Sequence, residues 1–137
     1  MSQENVDVVL ASIEAFNAGD MDAQMATYLP TAVAVVHGSE ETRLPDVDAR
    51  MEGRVAIRQQ LTEMRQAWAY RYSPSEVRAV SEDMVLCHGR IGGVGATTGI
   101  EALREASVLF RLRGGLIERV DFFDDPDAAL EAAGVEE

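Results

Sequence analysis

The order of periodic patterns along the chain most constrains its fold, because helical patterns fill the first half and strand patterns the second. Apolar residues recur at helical spacing over residues 3–18 and 54–70, and a short helix is expected between Asp20 and Pro30. The remaining periodic segments are rich in β-branched residues or alternate, and they predict strands over residues 31–37, 76–80, 84–91, 102–113 and 116–123. Helices followed by a run of antiparallel strands predict an α+β fold, with helices on one face of a curved sheet.

Turn and cap residues support this division. Gly114-Gly115 is typical of a two-residue hairpin between the last two strands. Gly19 stands where a left-handed residue would end the first helix. Asp125 as a cap, Pro126 at the first helical position and Gly134 after the end predict a short C-terminal helix.

Residues 38–52 interrupt the periodic segments. This stretch is charged, contains Pro45 and has no sustained period, so we expect a long loop. Loops of this length in compact domains usually cover or line a binding site. The sequence therefore predicts a lid or binding loop here.

Composition excludes several classes of function. The chain of 137 residues suits one domain over residues 1–137, and 47% hydrophobic residues are too many for a disordered tail. All 12 basic residues are arginine, so Schiff-base, pyridoxal-phosphate and P-loop chemistry, which need lysine, are excluded. The net charge of −12 repels phosphate groups, and we expect neither a nucleic-acid nor a membrane partner.

The few residues that could bind metal or form disulfides do not form a pattern. Cys87 is the only cysteine, so an internal disulfide is impossible. Cys87, His88 and His37 lack the spacing of a zinc site, and we expect no metal and no cofactor. Glu4 and Asp7 stand where a signal peptide would be basic and then apolar. A cytoplasmic location is the expectation.

Four segments together resemble the SnoaL-like branch of the nuclear transport factor 2-like superfamily. They are FNAGDMDA, EGRVAIRQQL, FRLRGGLIERV and DAALEAAG, and they follow one another in the order and spacing of that family. The resemblance implies a cone, in which a bent sheet wraps three helices around a pocket. It also implies a homodimer packed through the outer face of the sheet, and the outward apolar residues Leu109 and Phe123 would support one.

The resemblance, combined with the alternation along strands, implies which side chains face the pocket. It turns Leu86, His88 and Arg90 inward and Cys87 outward. On the last strand Arg119 and Asp121 point out. His37 is expected on the other side or at the rim. The expected apolar pocket wall consists of Phe16, Val36, Met64, Trp68, Leu86, Val108, Phe110 and Phe122.

The catalytic positions of known relatives are mostly not matched. Three positions that serve the steroid isomerases of this fold hold Ser12, Val36 and Val108, which argues against a steroid-type isomerase. The polyketide cyclases pair a histidine on the penultimate strand with an aspartate on the last. Here the histidine position is Val108, and the aspartate falls beside Asp121, which one β-bulge would turn inward.

His88 and Arg90 are the main polar residues of the pocket that the resemblance implies. An imidazole can give and take a proton near neutral pH, so His88 is a candidate acid and base. Arg90 would stabilise developing negative charge or bind an anionic group. The alternatives are a structural histidine bonded to a backbone carbonyl, and an arginine paired with Glu118 or Glu52.

Two functions therefore stay open. The first is a small-molecule pocket protein that works as a lyase, isomerase or cyclase without a cofactor. Its catalytic residues would be His88, Arg90 and Asp121, and its ligand apolar, with an anionic or carbonyl group as a further possibility. The second is a non-catalytic domain that binds an apolar ligand or dimerises. Recruitment of a partner through the exposed sheet face is a third possibility.

Overall fold

The computed structural model describes residues 2–37, 50–67, 70–94 and 101–134. Six strands form one mixed sheet in the order β2-β1-β6-β5-β4-β3, in which β1 and β6 are parallel and the other neighbours antiparallel. The helices and strands are α1 (Ser2–Ala18), α2 (Met21–Met25), β1 (Tyr28–Val36), β2 (Arg50–Glu52), α3 (Arg54–Ala67), β3 (Arg71–Ala79), β4 (Met84–Val94), β5 (Glu101–Arg113), β6 (Leu116–Phe123) and α4 (Pro126–Ala133). The predicted α+β class is confirmed.

Two apolar cores lie on opposite faces of this sheet. We call the face that α1 and α3 cover the inner face, and its core includes Val9, Phe16, Tyr28, Val85, Cys87, Val108, Phe110 and Val120. The α4 helix lies on the other, outer face over a smaller core of Leu86, Leu109, Phe123, Ala129 and Ala133. Helices therefore cover both faces, whereas the sequence predicted them on one.

The predicted caps are present. The Asp20 carboxylate accepts the Ala23 N–H at 3.1 Å, and the Asp125 carboxylate accepts the Asp127 N–H at 3.0 Å. These bonds satisfy N–H groups that a helix start leaves unpaired. Gly114-Gly115 turns between β5 and β6 with φ of 60° and 82°, a conformation that favours glycine.

The first strand begins earlier than the sequence predicted. Tyr28 and Pro30 belong to β1, not to the end of the short helix, because Tyr28 pairs with Ile117 of β6. This non-local pairing buries Tyr28 on the inner face. Proline has no N–H to lose, and it is tolerated where a strand makes irregular pairs, as β1 does between Tyr28 and Val33.

Part of the predicted loop over residues 38–52 is a strand. Residues 50–52 form β2, which pairs with Val33, Ala34 and Val35 of β1. Residues 38–49, and with them the predicted lid, lie outside the described residues.

The edge strand β3 comes unusually close to β4. A register shift lies between Pro74 and Glu76, and Gly89 of β4 faces it. A Cβ atom on Gly89 would clash with the Ser73 carbonyl oxygen and lie 2.7 Å from Pro74 Cα. Glycine at this position therefore permits the two backbones to approach.

Candidate active site

A cavity of about 130 Å³ lies between the inner face of the sheet and helices α1 and α3. Its walls are mainly apolar, and six of the residues predicted for the pocket line it: Phe16, Val36, Met64, Val108, Phe110 and Phe122. Trp68, also predicted there, lies outside the described residues. Ser12 lines the cavity together with Val36 and Val108, so the three positions inferred from the steroid isomerases face one space.

The predicted orientation of β4 is wrong. Cys87 pairs with Val77 and Val108 and belongs to the inner core, whereas Leu86 belongs to the outer core under α4. A shift of one residue reverses every side chain of a strand, and the orientation that the resemblance implied for this strand was displaced by that amount. Burial raises the pKa of the Cys87 thiol to about 12, so it stays protonated at neutral pH.

The same reversal removes His88 and Arg90 from the cavity. His88 Nδ1 and Ser107 Oγ are hydrogen-bonded at 2.7 Å, and Arg90 is exposed beside Glu105 on β5. Neither residue lines the cavity. The proposed partners of Arg90 form other ion pairs: Glu52 with Arg50 at 2.9 Å and Glu118 with Arg113 at 3.6 Å.

Asp121 lies on the outer face, paired in register with Leu109 and Val35. A β-bulge does occur in β6, but it lies between Ile117 and Arg119, upstream of Asp121. The bulge leaves both Ile117 and Val120 in the inner core, and Asp121 stays outside. Asp121 therefore reaches the cavity only through another side chain.

That side chain is His37, the first residue after β1. The Nε2–H group of His37 donates to Asp121 Oδ1 at 2.8 Å. Its backbone N–H donates to the Phe122 carbonyl at 2.8 Å, and its ring stacks on Phe123 with centroids 4.4 Å apart. His37 lines the cavity, so a hydrogen-bonded histidine and aspartate meet at its edge.

Arg119 completes this arrangement, which we call the His37 relay (His37, Asp121 and Arg119). Arg119 Nε donates to Asp121 Oδ2 at 2.9 Å, and Nη2 donates to Oδ1 at 3.1 Å. Burial of Asp121 opposes its ionisation, but the hydrogen bonds from Arg119 and His37 outweigh this effect and lower its pKa. Asp121 is thus an ionised carboxylate held on two sides.

The sequence did not identify His37 as a site residue. It placed His37 at the rim of the pocket or on the opposite face of the strand. Alternation along β1 gives the direction of each side chain, but it does not show which strand lies beside β1. The parallel pairing of β1 with β6 brings His37 to Asp121 across 84 positions of sequence. The only sequence signal was a histidine at a strand end.

The ends of the cavity differ in polarity and burial. His37 lies at the mouth, where the exposed Glu105 and Asp124 also line the cavity. Ser12, Gln24 and Tyr28 line the buried end and are only 2%, 5% and 4% exposed. The mouth therefore carries charge, and the buried end carries neutral polar groups.

Tyr28 is the centre of the buried end. Burial raises the pKa of its hydroxyl, while hydrogen bonds with Ser12 and Gln24 act in the opposite direction. The net effect keeps Tyr28 a neutral phenol. The Gln24 Oε1 atom has no hydrogen-bond partner among the described residues.

The described residues give no sign of a metal site or a membrane span. Among them, no three histidine, cysteine or carboxylate side chains come together to hold a metal ion. No helix in the described part of the chain is long and apolar enough to cross a bilayer.

The SnoaL-like domain family matches residues 9–120, which is most of the chain. The chain belongs to the SnoaL-like domain family. The match confirms the resemblance inferred from the sequence, and it assigns a ligand-binding fold rather than one reaction. No curated protein matches the chain.

Solved structures with the same fold come from several bacteria. One from Xanthomonas campestris pv. campestris, named a candidate polyketide cyclase, is 22% identical with a TM-score of 0.75, covering 96% of this chain and 98% of that one. An NTF2-like protein of unknown function from Burkholderia pseudomallei is 18% identical with a TM-score of 0.77, covering 96% and 97%. A protein with a ketosteroid isomerase-like fold from Catenulispora acidiphila, in complex with trimethylamine, is 17% identical with a TM-score of 0.72, covering 94% and 93%. These similarities establish the NTF2-like fold.

Proposed function

We propose that this SnoaL-like protein is a cofactor-free acid–base catalyst that moves a proton on a small organic molecule bound in the cavity. The reaction class is that of a lyase, isomerase or cyclase. The observation that carries the proposal is the His37 relay at the cavity mouth, where His37 Nε2 lies 2.8 Å from an ionised Asp121.

His37 is the catalytic residue in this proposal. Its Nε2–H group is engaged by Asp121, so the lone pair of the neutral ring is on Nδ1. Nδ1 takes a proton from a bound molecule, and the imidazolium returns it to another atom of that molecule or to its leaving group. Asp121 is a positioning residue that fixes the ring orientation and the tautomer of His37, and Arg119 holds Asp121.

The cavity limits the size of the ligand. An apolar cavity of about 150 Å³ holds a molecule such as benzene, and pockets for drug-sized ligands measure about 300–1,000 Å³. A cavity of about 130 Å³ suits a molecule built on about one ring. Arg90, on which an anionic ligand was predicted, lies outside the cavity, whereas Arg104 is among the lining residues; the walls are mainly apolar, so the ligand proposed here is mainly apolar.

A second candidate is a non-catalytic binding domain. It is favoured by the middle of the cavity, where Val36 and Val108 occupy positions that carry catalytic groups in steroid isomerases. In that function His37 would only hold the end of β1 against β6. The two candidates differ in one outcome, namely whether a bound molecule loses a proton to His37.

The test uses 5-nitrobenzisoxazole, a small aromatic probe. A base that removes its ring C–H proton breaks the N–O bond and releases a coloured cyanonitrophenolate, so no other reactant is needed. We expect saturable acceleration by the wild type and a loss of about 100-fold or more in His37→Ala. His88→Ala, which removes the other histidine, is the matched control. His88 bonds to Ser107 outside the cavity, so this variant keeps the wild-type rate. Equal rates for wild type and His37→Ala would refute the proposal.

A further inference from the structure

The buried end of the cavity contains a hydrogen-bond acceptor without a partner. Gln24 Oε1 is buried and unpaired among the described residues, although Gln24 is only 5% exposed and lines the cavity. A buried amide oxygen without a hydrogen bond destabilises the fold, because its lost hydration is not compensated, so such atoms are rare in folded proteins. This one faces a space that a ligand can enter.

The surrounding bonds hold this acceptor in place. Because Gln24 Oε1 is unpaired, its hydrogen bond with Tyr28 must come from the amide nitrogen. Ser12 also bonds to the Tyr28 hydroxyl, so the group to which the Gln24 amide is bonded is itself fixed. The N-cap bond of Asp20 to Ala23 fixes the short α2 helix that carries Gln24. The oxygen is therefore a positioned acceptor rather than a mobile side chain.

We infer that Gln24 is a specificity-determining residue that selects ligands with a hydroxyl group at the buried end of the cavity. This inference rests on the proposed function, because it names the substrate class for the same cavity. The ligand is an alcohol or phenol whose O–H donates to Gln24 Oε1 and whose apolar body lies against Phe16 and Phe110.

Charge selects a hydroxyl over an ammonium group. The buried polar side chains that line the cavity (Ser12, Gln24, Tyr28 and Gln60) are neutral, since burial keeps the Tyr28 phenol protonated. The carboxylates that line the described cavity, Glu105 and Asp124, lie at the exposed mouth. An unpaired ammonium at the buried end would have no compensating charge, whereas a neutral hydroxyl needs only the acceptor.

The test compares phenol with toluene, which have nearly the same shape but differ in the hydroxyl group. Dissociation constants for both are measured by NMR titration of wild type and Gln24→Met, a change that keeps the length of the side chain. We expect the phenol-to-toluene affinity ratio to be about tenfold higher in wild type than in Gln24→Met, because one neutral hydrogen bond contributes about that factor to binding. Gln59→Met is the matched control, because it makes the same change at an exposed glutamine of α3 that does not line the cavity, and it keeps the wild-type ratio.

A measurement on the wild type covers the case in which Gln24→Met does not fold. In protein labelled with ¹⁵N, phenol shifts the side-chain amide signal of Gln24 more than toluene does. Equal ratios in the two proteins, equal amide shifts with the two probes, or no binding of either probe would overturn the inference. A different combination is a phenol-to-toluene ratio that depends on Gln24 as expected, while His37→Ala opens 5-nitrobenzisoxazole as fast as the wild type does. That combination would overturn the proposed function and leave this inference standing.

Discussion

At the scale of single residues, Asp121 links the two other members of the His37 relay. It is 8% exposed and accepts hydrogen bonds from His37 and Arg119 at 2.8–3.1 Å. These bonds stabilise its charged form more strongly than burial opposes it, and its pKa falls below the ordinary 3.8. The carboxylate therefore contributes to stability as well as to the proposed chemistry.

This contribution depends on pH. A carboxylate with a lowered pKa stabilises the fold above its unfolded-state pKa, and the contribution is lost as pH falls through its folded-state pKa. Asp121→Asn should lower the free energy of unfolding by about 2 kcal/mol at neutral pH. The difference should shrink as pH falls below about 4. Urea unfolding of both proteins across this range measures it, and a difference that does not change with pH would contradict the account.

At the scale of strands, the sequence succeeded where a local turn fixes the pairing. The Gly114-Gly115 hairpin sets β5 against β6, and the predicted inward residues Val108, Phe110 and Phe122 do face the cavity. It failed at β4, where the orientation came from the family resemblance and not from the connection at residues 81–83, across which the Val80 N–H donates to the Met84 carbonyl at 3.0 Å. Since each strand alternates with a period of two, an error of one residue moved His88 and Arg90 to the wrong face.

The approach of β3 to β4 gives a second prediction at this scale. Gly89→Ala places a methyl group against the backbone of Ser73 and Pro74, so strands must separate. We expect a loss of about 1–3 kcal/mol in the free energy of unfolding. Ser73→Ala, an exposed change in the same pair of strands, should stay within about 0.5 kcal/mol. Thermal and urea unfolding distinguish the two, and equal stability of Gly89→Ala and wild type would show that the contact is not tight.

At the scale of the whole molecule, the family resemblance predicts a homodimer through the outer face. The apolar residues that supported it, Leu109 and Phe123, are buried beneath α4 of the same chain. The prediction of a homodimer therefore rests on the resemblance, and other residues of the outer face would form the interface. Light scattering during size exclusion should give twice the chain mass of 14.9 kDa, and a particle of one chain mass would contradict the prediction.

The whole molecule also explains why the site was only partly predictable. The cavity wall follows from alternation and helical spacing, which are local properties. The His37 relay needs β1 to run parallel to β6, and the buried end needs Tyr28 to leave the helix and enter β1. Both features depend on pairing between distant segments, so no local pattern in this sequence reveals them.

The most direct test of the His37 relay is a double-mutant cycle on the ring opening of 5-nitrobenzisoxazole. The rates are measured for wild type, His37→Ala, Asp121→Asn and the double variant. If Asp121 acts only through His37, Asp121→Asn lowers the rate in the wild type and has no effect once His37 is alanine. An equal loss from Asp121→Asn with and without His37 would contradict the account.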